Sequence, residues 1–151
     1  MSLHDFRTTT RRSSDLSKYS ADVFAEAEEH PVRVTRRDGE TLVLMSQREV
    51  DARALLLQLA ADLITVTLDD EGTLASRMVQ KFEWMRALST ADQEACARDL
   101  IHAARASFAT GQAHLALAEL TSWRETATAV AAGLTGLPVE WLEAPTPAER
   151  P

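Results

Sequence analysis

The chain has 151 residues, of which 45% are hydrophobic and 26% are charged, and its formal net charge is −7. This composition excludes wholesale disorder and is sufficient for one small domain, with or without an extended arm. The single cysteine excludes an internal disulfide framework and a cysteine-based zinc cage, and it fits a reducing cytoplasm, where we expect the protein to be located.

No membrane partner is expected for this chain. Its longest apolar stretch, residues 54–68, is interrupted by Gln58 and Asp62 and is too short to span a bilayer. The N-terminus has none of the hydrophobic character of a signal peptide.

The negative charge is unevenly distributed. The first 18 residues contain four basic and two acidic residues, whereas residues 51–151 contain eight basic and fourteen acidic residues. A net charge of −7 argues against phosphate contacts, but a locally basic N-terminus permits them. We therefore expect the two ends of the chain to bind different partners.

In chain order, the first predicted element is a short, threonine-rich strand over residues 6–12. A helix follows and ends before Pro31, with Ser13 or Ser14 as the expected N-cap. Its apolar stripe has helical spacing and consists of Leu16, Tyr19, Val23 and Ala27.

A β-hairpin is the clearest local prediction. Its strands are residues 32–37 and 40–45, and Asp38-Gly39 between them is typical of a two-residue turn with positive φ angles. The second strand is apolar on both faces from Leu42 to Met45, which indicates that a second subunit covers it.

The next predicted helix begins after Ser46, with Glu49 at the capping-box spacing, and ends before a charged turn over residues 69–72. Apolar residues at alternating steps of four and three mark a heptad seam along it, flanked by Leu56 and Leu63. The seam consists of Val50, Ala54, Leu57, Ala61, Ile64 and Leu68.

Two further helices are predicted in the C-terminal half. One opens at Thr90 and ends at Gly111, and its apolar face consists of Cys96, Leu100, Ala104 and Phe108. The apolar stripe of the other consists of Ala116, Leu120, Trp123, Ala127 and Val130. Gly133, Gly136 and Pro138 stop this last helix.

The sequence favours neither catalysis nor a cofactor. The histidines have no metal-ligand spacing among them; they are His4, His30, His102 and His114. Cys96 lies on an apolar helical face, where the expected role is a core residue. Because the chain also has no glycine-rich phosphate loop and no nucleophile elbow, we expect no enzymatic activity and no cofactor.

Two parts of the chain favour binding. A basic strand-to-helix junction at residues 11–14, with Lys18 one turn later, could contact phosphates, and a solvated basic surface is the alternative. The C-terminal helices carry aromatic residues that are either the core of a self-contained helical unit or anchors for a partner. These residues are Phe82, Trp84, Phe108 and Trp123.

The segment Val34-Thr-Arg-Arg-Asp-Gly-Glu-Thr-Leu-Val-Leu-Met-Ser-Gln-Arg-Glu49, preceded by a strand and a helix, resembles the Phd/YefM (prevent-host-death) antitoxins. The family pattern is hydrophobic-Thr-Arg-x-Gly-x-x-x-Val-Leu-x-Ser-x-x-Glu, and this chain has one additional residue between Arg and Gly. The matching residues are Arg36, Gly39, Val43, Leu44, Ser46 and Glu49. The resemblance covers residues 6–60, and residues 82–92 and 120–127 look similar to a helical extension of actinobacterial members.

The resemblance implies an α+β fold, in which a small β-hairpin or three-stranded sheet with two helices forms a dimer and precedes an all-α extension. It implies a DNA-binding and dimerisation module at residues 1–68, a helical toxin-binding region at 69–143 and a flexible tail at 144–151. The DNA-binding residues would be Arg11, Arg12, Ser14, Lys18 and Arg36. The dimer interface would contain Leu42, Leu44, Met45 and Leu57. The toxin would be bound by Phe82, Trp84, Phe108, Leu120 and Trp123.

The implied function is that of the antitoxin of a type II toxin–antitoxin system. A homodimer would repress its own operon by binding operator DNA, and the C-terminal helices would neutralise a cognate toxin. The acidic half would complement a basic toxin, such as a RelE-type RNase. The alternatives are a stand-alone DNA-binding transcription regulator and a helical adaptor protein that does not bind DNA.

Overall fold

The fold is mixed α+β and mostly helical. A computed structural model describes residues 9–134. The first eight residues, and the predictions for Gly136, Pro138 and the tail at 144–151, lie outside the described residues. Within the described range the order of elements is β1 (Thr9–Arg12), α1 (Asp15–Lys18), α2 (Ser20–Glu29), β2 (Val32–Thr35), β3 (Leu42–Leu44), α3 (Gln47–Leu68), α4 (Leu74–Lys81), a 3-10 helix (Glu83–Ala87), α5 (Thr90–Thr110) and α6 (His114–Ala131).

The predicted α+β class with a small three-stranded sheet is confirmed. The strands lie in the order β1-β2-β3, with β1 parallel to β2 and β2 antiparallel to β3. Val32 and Val34 point to one face of the sheet, where Val23 and Ala27 of α2 complete a small core. Residues 9–45 are called the sheet unit below.

The predicted helix over residues 13–30 is wrong in its continuity and in its cap. Tyr19, with φ −136° and ψ 42°, leaves the helical region and separates α1 from α2, which then packs on the sheet. Ser14 precedes α1 but makes no side-chain capping bond. Instead, the backbone N–H of Arg12 donates to Asp15 Oδ2 at 2.9 Å.

The hairpin pairing is confirmed, but its turn is not the predicted two-residue turn. Strands β2 and β3 are joined by residues 36–41, and the glycines with positive φ are Gly72, Gly111 and Gly133 rather than Gly39. The reason for a glycine at position 39 is a close approach: a Cβ there would lie 3.0 Å from Cζ of Arg36. Gly39 thus leaves space for the Arg36 guanidinium.

Helix α3 begins as predicted and has two apolar faces. Ser46 Oγ accepts a hydrogen bond from the backbone N–H of Glu49 at 3.2 Å. One face, with Leu59, Leu63 and Val66, is buried against the later helices. The heptad seam lies on the opposite side of the helix, about 180° away at about 100° per residue, and every seam residue is exposed.

The other helices form a second core with the C-terminal half of α3, so that α3–α6 are called the helical unit (residues 46–134). Helices α5 and α6 confirm the predicted helices, and Gly111 ends α5 with φ 64°. Helix α4 and the 3-10 helix were not predicted, although Thr73 caps α4 by accepting from Ser76 N at 3.1 Å. Because α3 packs with these helices, the predicted boundary after residue 68 falls inside the helical unit.

Candidate nucleic-acid interface

A basic cleft lies at the edge of the sheet where β1 and β2 end. Because these strands are parallel, with Arg12 paired to Thr35, the residues that follow both strands reach the same edge. The cleft has a volume of about 350 Å³. It is lined by Arg12, Ser13, Ser14, Thr35, Arg36 and Arg37.

One backbone hydrogen bond and one side-chain hydrogen bond hold the two walls of the cleft together. Ser13 N donates to Thr35 O at 2.9 Å, and the Thr35 hydroxyl donates to Arg11 O at 3.2 Å. These bonds extend the pairing of β1 and β2 beyond the last strand residue. The two arginine-bearing segments are therefore fixed relative to each other by these two bonds.

The charge of this cleft is positive. Its three arginines are exposed, and no acidic side chain is among its lining residues. Two acids adjoin the lining residues in sequence: Asp15, which accepts the backbone N–H of Arg12, and Asp38, which follows Arg37. Planar guanidinium groups with several donors are well suited to phosphate oxygens.

The structure brings together three of the five predicted DNA-binding residues, Arg12, Ser14 and Arg36. It adds Arg37, which the sequence reasoning omitted although it adjoins Arg36. The parallel pairing of β1 with β2 was not visible in the sequence, because the two strands are separated by two helices. Lys18 is exposed at the end of α1 and is not a lining residue of the cleft.

Arg11 is occupied on the opposite face of the sheet. Its Nε donates to Glu26 Oε2 of α2 at 2.9 Å, which raises the pKa of the guanidinium. The pKa of Glu26 is lowered, first by a hydrogen bond from the Thr9 side chain and then by the bond from Arg11. Arg11 therefore ties β1 to α2, in contrast to Arg12 beside it.

The predicted dimer residues differ in exposure. Leu42 is 52% exposed and Leu57 is 73% exposed, so both apolar side chains are largely uncovered in the single chain. Leu44 and Met45 are half-buried, and Leu44 packs against the small core of the sheet unit. Val43, on the other face of β3, is 53% exposed.

Most of the predicted toxin-binding residues pack within the helical unit. Four of them are partly buried against its core, namely Phe82, Trp84, Leu120 and Trp123. The rings of Phe82 and Trp84 lie with their centroids 6.3 Å apart. Phe108, at 44% exposed, is the member of the set with the most accessible side chain.

The lone cysteine of the chain is buried in α5. Burial, together with Asp99 and Glu119, raises the pKa of the Cys96 thiol to about 12, which leaves it protonated and unreactive at neutral pH.

Within residues 9–134 no group of three or more His, Cys, Asp or Glu side chains could hold a metal ion. No helix in this part of the chain is long and apolar enough to cross a membrane.

Comparison of the chain with protein-family models, with curated proteins and with solved structures gave no match.

Proposed function

We propose that the chain is the antitoxin of a type II toxin–antitoxin system and that its homodimer binds operator DNA through the basic cleft. The observation that carries this proposal is the convergence of Arg12, Arg36 and Arg37 on one sheet edge. Such a cluster favours binding to DNA, because each phosphate that it neutralises releases counterions. A chain of net charge −7 that concentrates arginines in one cleft would bind DNA with a steep dependence on salt.

The DNA-binding proposal is tested with Arg36→Ala and the DNA upstream of the chain's own gene. We expect weaker binding and a shallower dependence of log K on log salt, by about one phosphate contact. Arg124→Ala is the matched control, because it removes the same charge from an exposed position on α6. An absence of binding by the unmodified chain at low salt, or equal losses in both variants, would reject a role for the cleft.

A second variant tests the position of the guanidinium rather than its charge. A methyl group at residue 39 would crowd Arg36, so Gly39→Ala displaces its side chain while the charge is kept. We expect a smaller loss of DNA affinity than in Arg36→Ala, with an unchanged slope of the salt dependence. A larger loss than in Arg36→Ala would indicate that the loop, rather than the arginine, is the contact.

Toxin neutralisation is proposed for the helical unit. The residues of this unit, 46–134, include twelve acidic and eight basic residues, which favours a basic partner such as a RelE-type RNase. Co-expression with the adjacent open reading frame is expected to give a complex and to restore growth. Phe108→Ala should weaken that complex without unfolding the chain, because this side chain is 44% exposed.

The second candidate is a stand-alone DNA-binding transcription regulator. It is favoured by the helical unit's own core, against which Phe82, Trp84 and Trp123 pack. Such a regulator would bind the upstream DNA but would neither form a complex with the neighbouring product nor rescue growth. If the chain bound neither the upstream DNA nor the neighbouring product, the remaining alternative would be a helical adaptor protein that does not bind DNA.

A further inference from the structure

Helix α3 carries an apolar seam that its own chain does not cover. Leu57 is 73% exposed, Ile64 58% and Leu68 77%, although this helix already buries its opposite face in the core of the helical unit. Val50 at the N-terminal end is 45% exposed. The seam therefore runs the whole length of α3, from the first turn to the last residue.

The spacing of the seam specifies a helix as its occupant. Steps of four and three residues place its side chains at the alternating a and d positions of a heptad, which pack as knobs into the holes of a facing helix. Small and large residues alternate along it, since Ala54 and Ala61 separate Val50, Leu57 and Ile64.

The order of small and large residues specifies a second copy in the antiparallel orientation. When α3 is paired with itself around residue 59, Val50 faces Leu68, Ala54 faces Ile64 and Leu57 faces Ala61. By the two-fold symmetry, each of the four inner layers then holds one alanine and one large side chain, which evens out the side-chain volume along the interface. A parallel pair would instead stack Ala54 on Ala54 and Ala61 on Ala61, which leaves two cavities.

The residues beside the seam are compatible with this pairing. In an antiparallel pair the e positions beside the seam meet e positions of the other helix, and the g positions meet g positions. Asp51 therefore meets Thr65, and Arg53 meets Thr67, so no charged group meets a charge of the same sign. Arg53 is paired with Glu49 of its own helix at 2.7 Å. Gln58, which lies nearest the axis, meets its own copy.

We propose that two copies of the chain associate through antiparallel α3 helices, with the two-fold axis at the level of residue 59. The sheet units then lie at opposite ends of the paired helices, so that Leu57 is the one expected dimer residue that this interface contains. Gln47, where α3 begins, is twelve residues from the axis, so that the two α3 N-termini are separated by about 36 Å at a rise of about 1.5 Å per residue. A parallel pair would place both N-termini at the same end.

This separation has a consequence that rests on the proposed DNA binding. Half-sites on one face of B-DNA recur about every 34–36 Å, one helical turn. The separation of the two α3 N-termini is close to this repeat, and we expect the dimer to contact two half-sites one turn apart. Inserting five base pairs, about half a turn, between the half-sites of the upstream DNA should weaken binding on the order of 100-fold.

The association is tested first by mass and by a charged substitution. The unmodified chain should be a dimer by analytical ultracentrifugation, and Leu57→Glu should raise its dissociation constant on the order of 100-fold or more, because two large apolar contacts are lost. Leu55→Glu is the matched control, since Leu55 is 56% exposed on the same helix but off the seam. A monomeric parent, or equal effects of both substitutions, would overturn the proposal.

The orientation is tested by disulfide cross-linking in a Cys96→Ala background. Differently tagged chains carrying Val50→Cys and Leu68→Cys are mixed and oxidised. The antiparallel pair predicts a link between the two chains and few links within either population. Links of 50 to 50 and of 68 to 68 would overturn the orientation. A linked dimer that fails to bind DNA would reject the proposed function alone, whereas a dimer that binds DNA without forming the link between residues 50 and 68 would reject this inference alone.

Discussion

The sheet unit and the helical unit differ most in how much apolar surface each can bury. The core of the sheet unit consists of four residues, whereas that of the helical unit consists of twelve. Both units leave some large apolar side chains uncovered, such as Phe24 and Leu42 in the sheet unit and Leu57 and Leu68 in the helical unit. Because stability rises with buried area, the helical unit should carry most of the free energy of unfolding. The unit that bears the basic cleft is thus the less stable one, and binding can stabilise it.

The largest expected effect is in the helical core. Leu100 is fully buried in α5, and Leu100→Ala should lower the free energy of unfolding by about 2–5 kcal/mol because it leaves a cavity. Urea unfolding followed by far-UV circular dichroism measures this loss. Leu115→Ala, at a 52% exposed position on α6, should cost less than about 0.5 kcal/mol. Similar losses in the two variants would contradict the described core.

The next effect concerns the junction of α5 with α6. Ser107 is fully buried, and its Oγ accepts the backbone N–H of Ala116 at 3.0 Å. Ser107→Ala leaves that N–H without its partner and should cost about 1–3 kcal/mol. Urea unfolding measures the cost, with the exposed Ser122→Ala as control, and hydrogen exchange should speed up in the first turn of α6. Unchanged exchange there would show that this bond does not anchor α6.

A smaller effect is expected in the sheet unit. Val34→Ala removes two methyl groups from a side chain that is 3% exposed, which costs about 1.5 kcal/mol at about 0.8 kcal/mol per group. Hydrogen exchange should accelerate at β2 while α5 keeps its protection. Val43→Ala, on the exposed face of β3, is the matched control. Equal acceleration in α5 would mean that the two units unfold together, which would break the comparison.

The smallest effect is the pH dependence of the contact between β1 and α2. The pKa of Glu26 is lowered from 4.5, so its ionised form is favoured in the folded state. Its contribution to stability is present above the unfolded pKa and is lost as pH falls through the folded pKa. Thermal melts at decreasing pH should therefore show a decline below pH 4.5. Glu26→Gln should remove part of this decline, and an unchanged decline would assign it to other carboxylates.

Local signals in the sequence were reliable where the chain's own neighbours decide the structure. Ser46 caps α3 and Gly111 ends α5 because both devices act within one helical turn. The continuous helix over residues 13–30 failed because Tyr19 leaves the helical region, and α2 packs its apolar face on a sheet formed by distant residues. The predicted two-residue turn at Gly39 was wrong, because this glycine is required by the close approach of the Arg36 guanidinium and not by a positive φ angle.

The sequence by itself determined the three strands, the long helices α3, α5 and α6, the heptad spacing along α3 and the presence of arginines near both sheet strands. Periodicity and capping are local, so they are readable without a fold. Only the tertiary structure decided that β1 lies parallel to β2, which gathers Arg12, Arg36 and Arg37 into one cleft and turns Arg11 away to Glu26. It also decided that α3 buries the face opposite its seam. Both outcomes depend on contacts between segments far apart in the chain, and no local pattern encodes them.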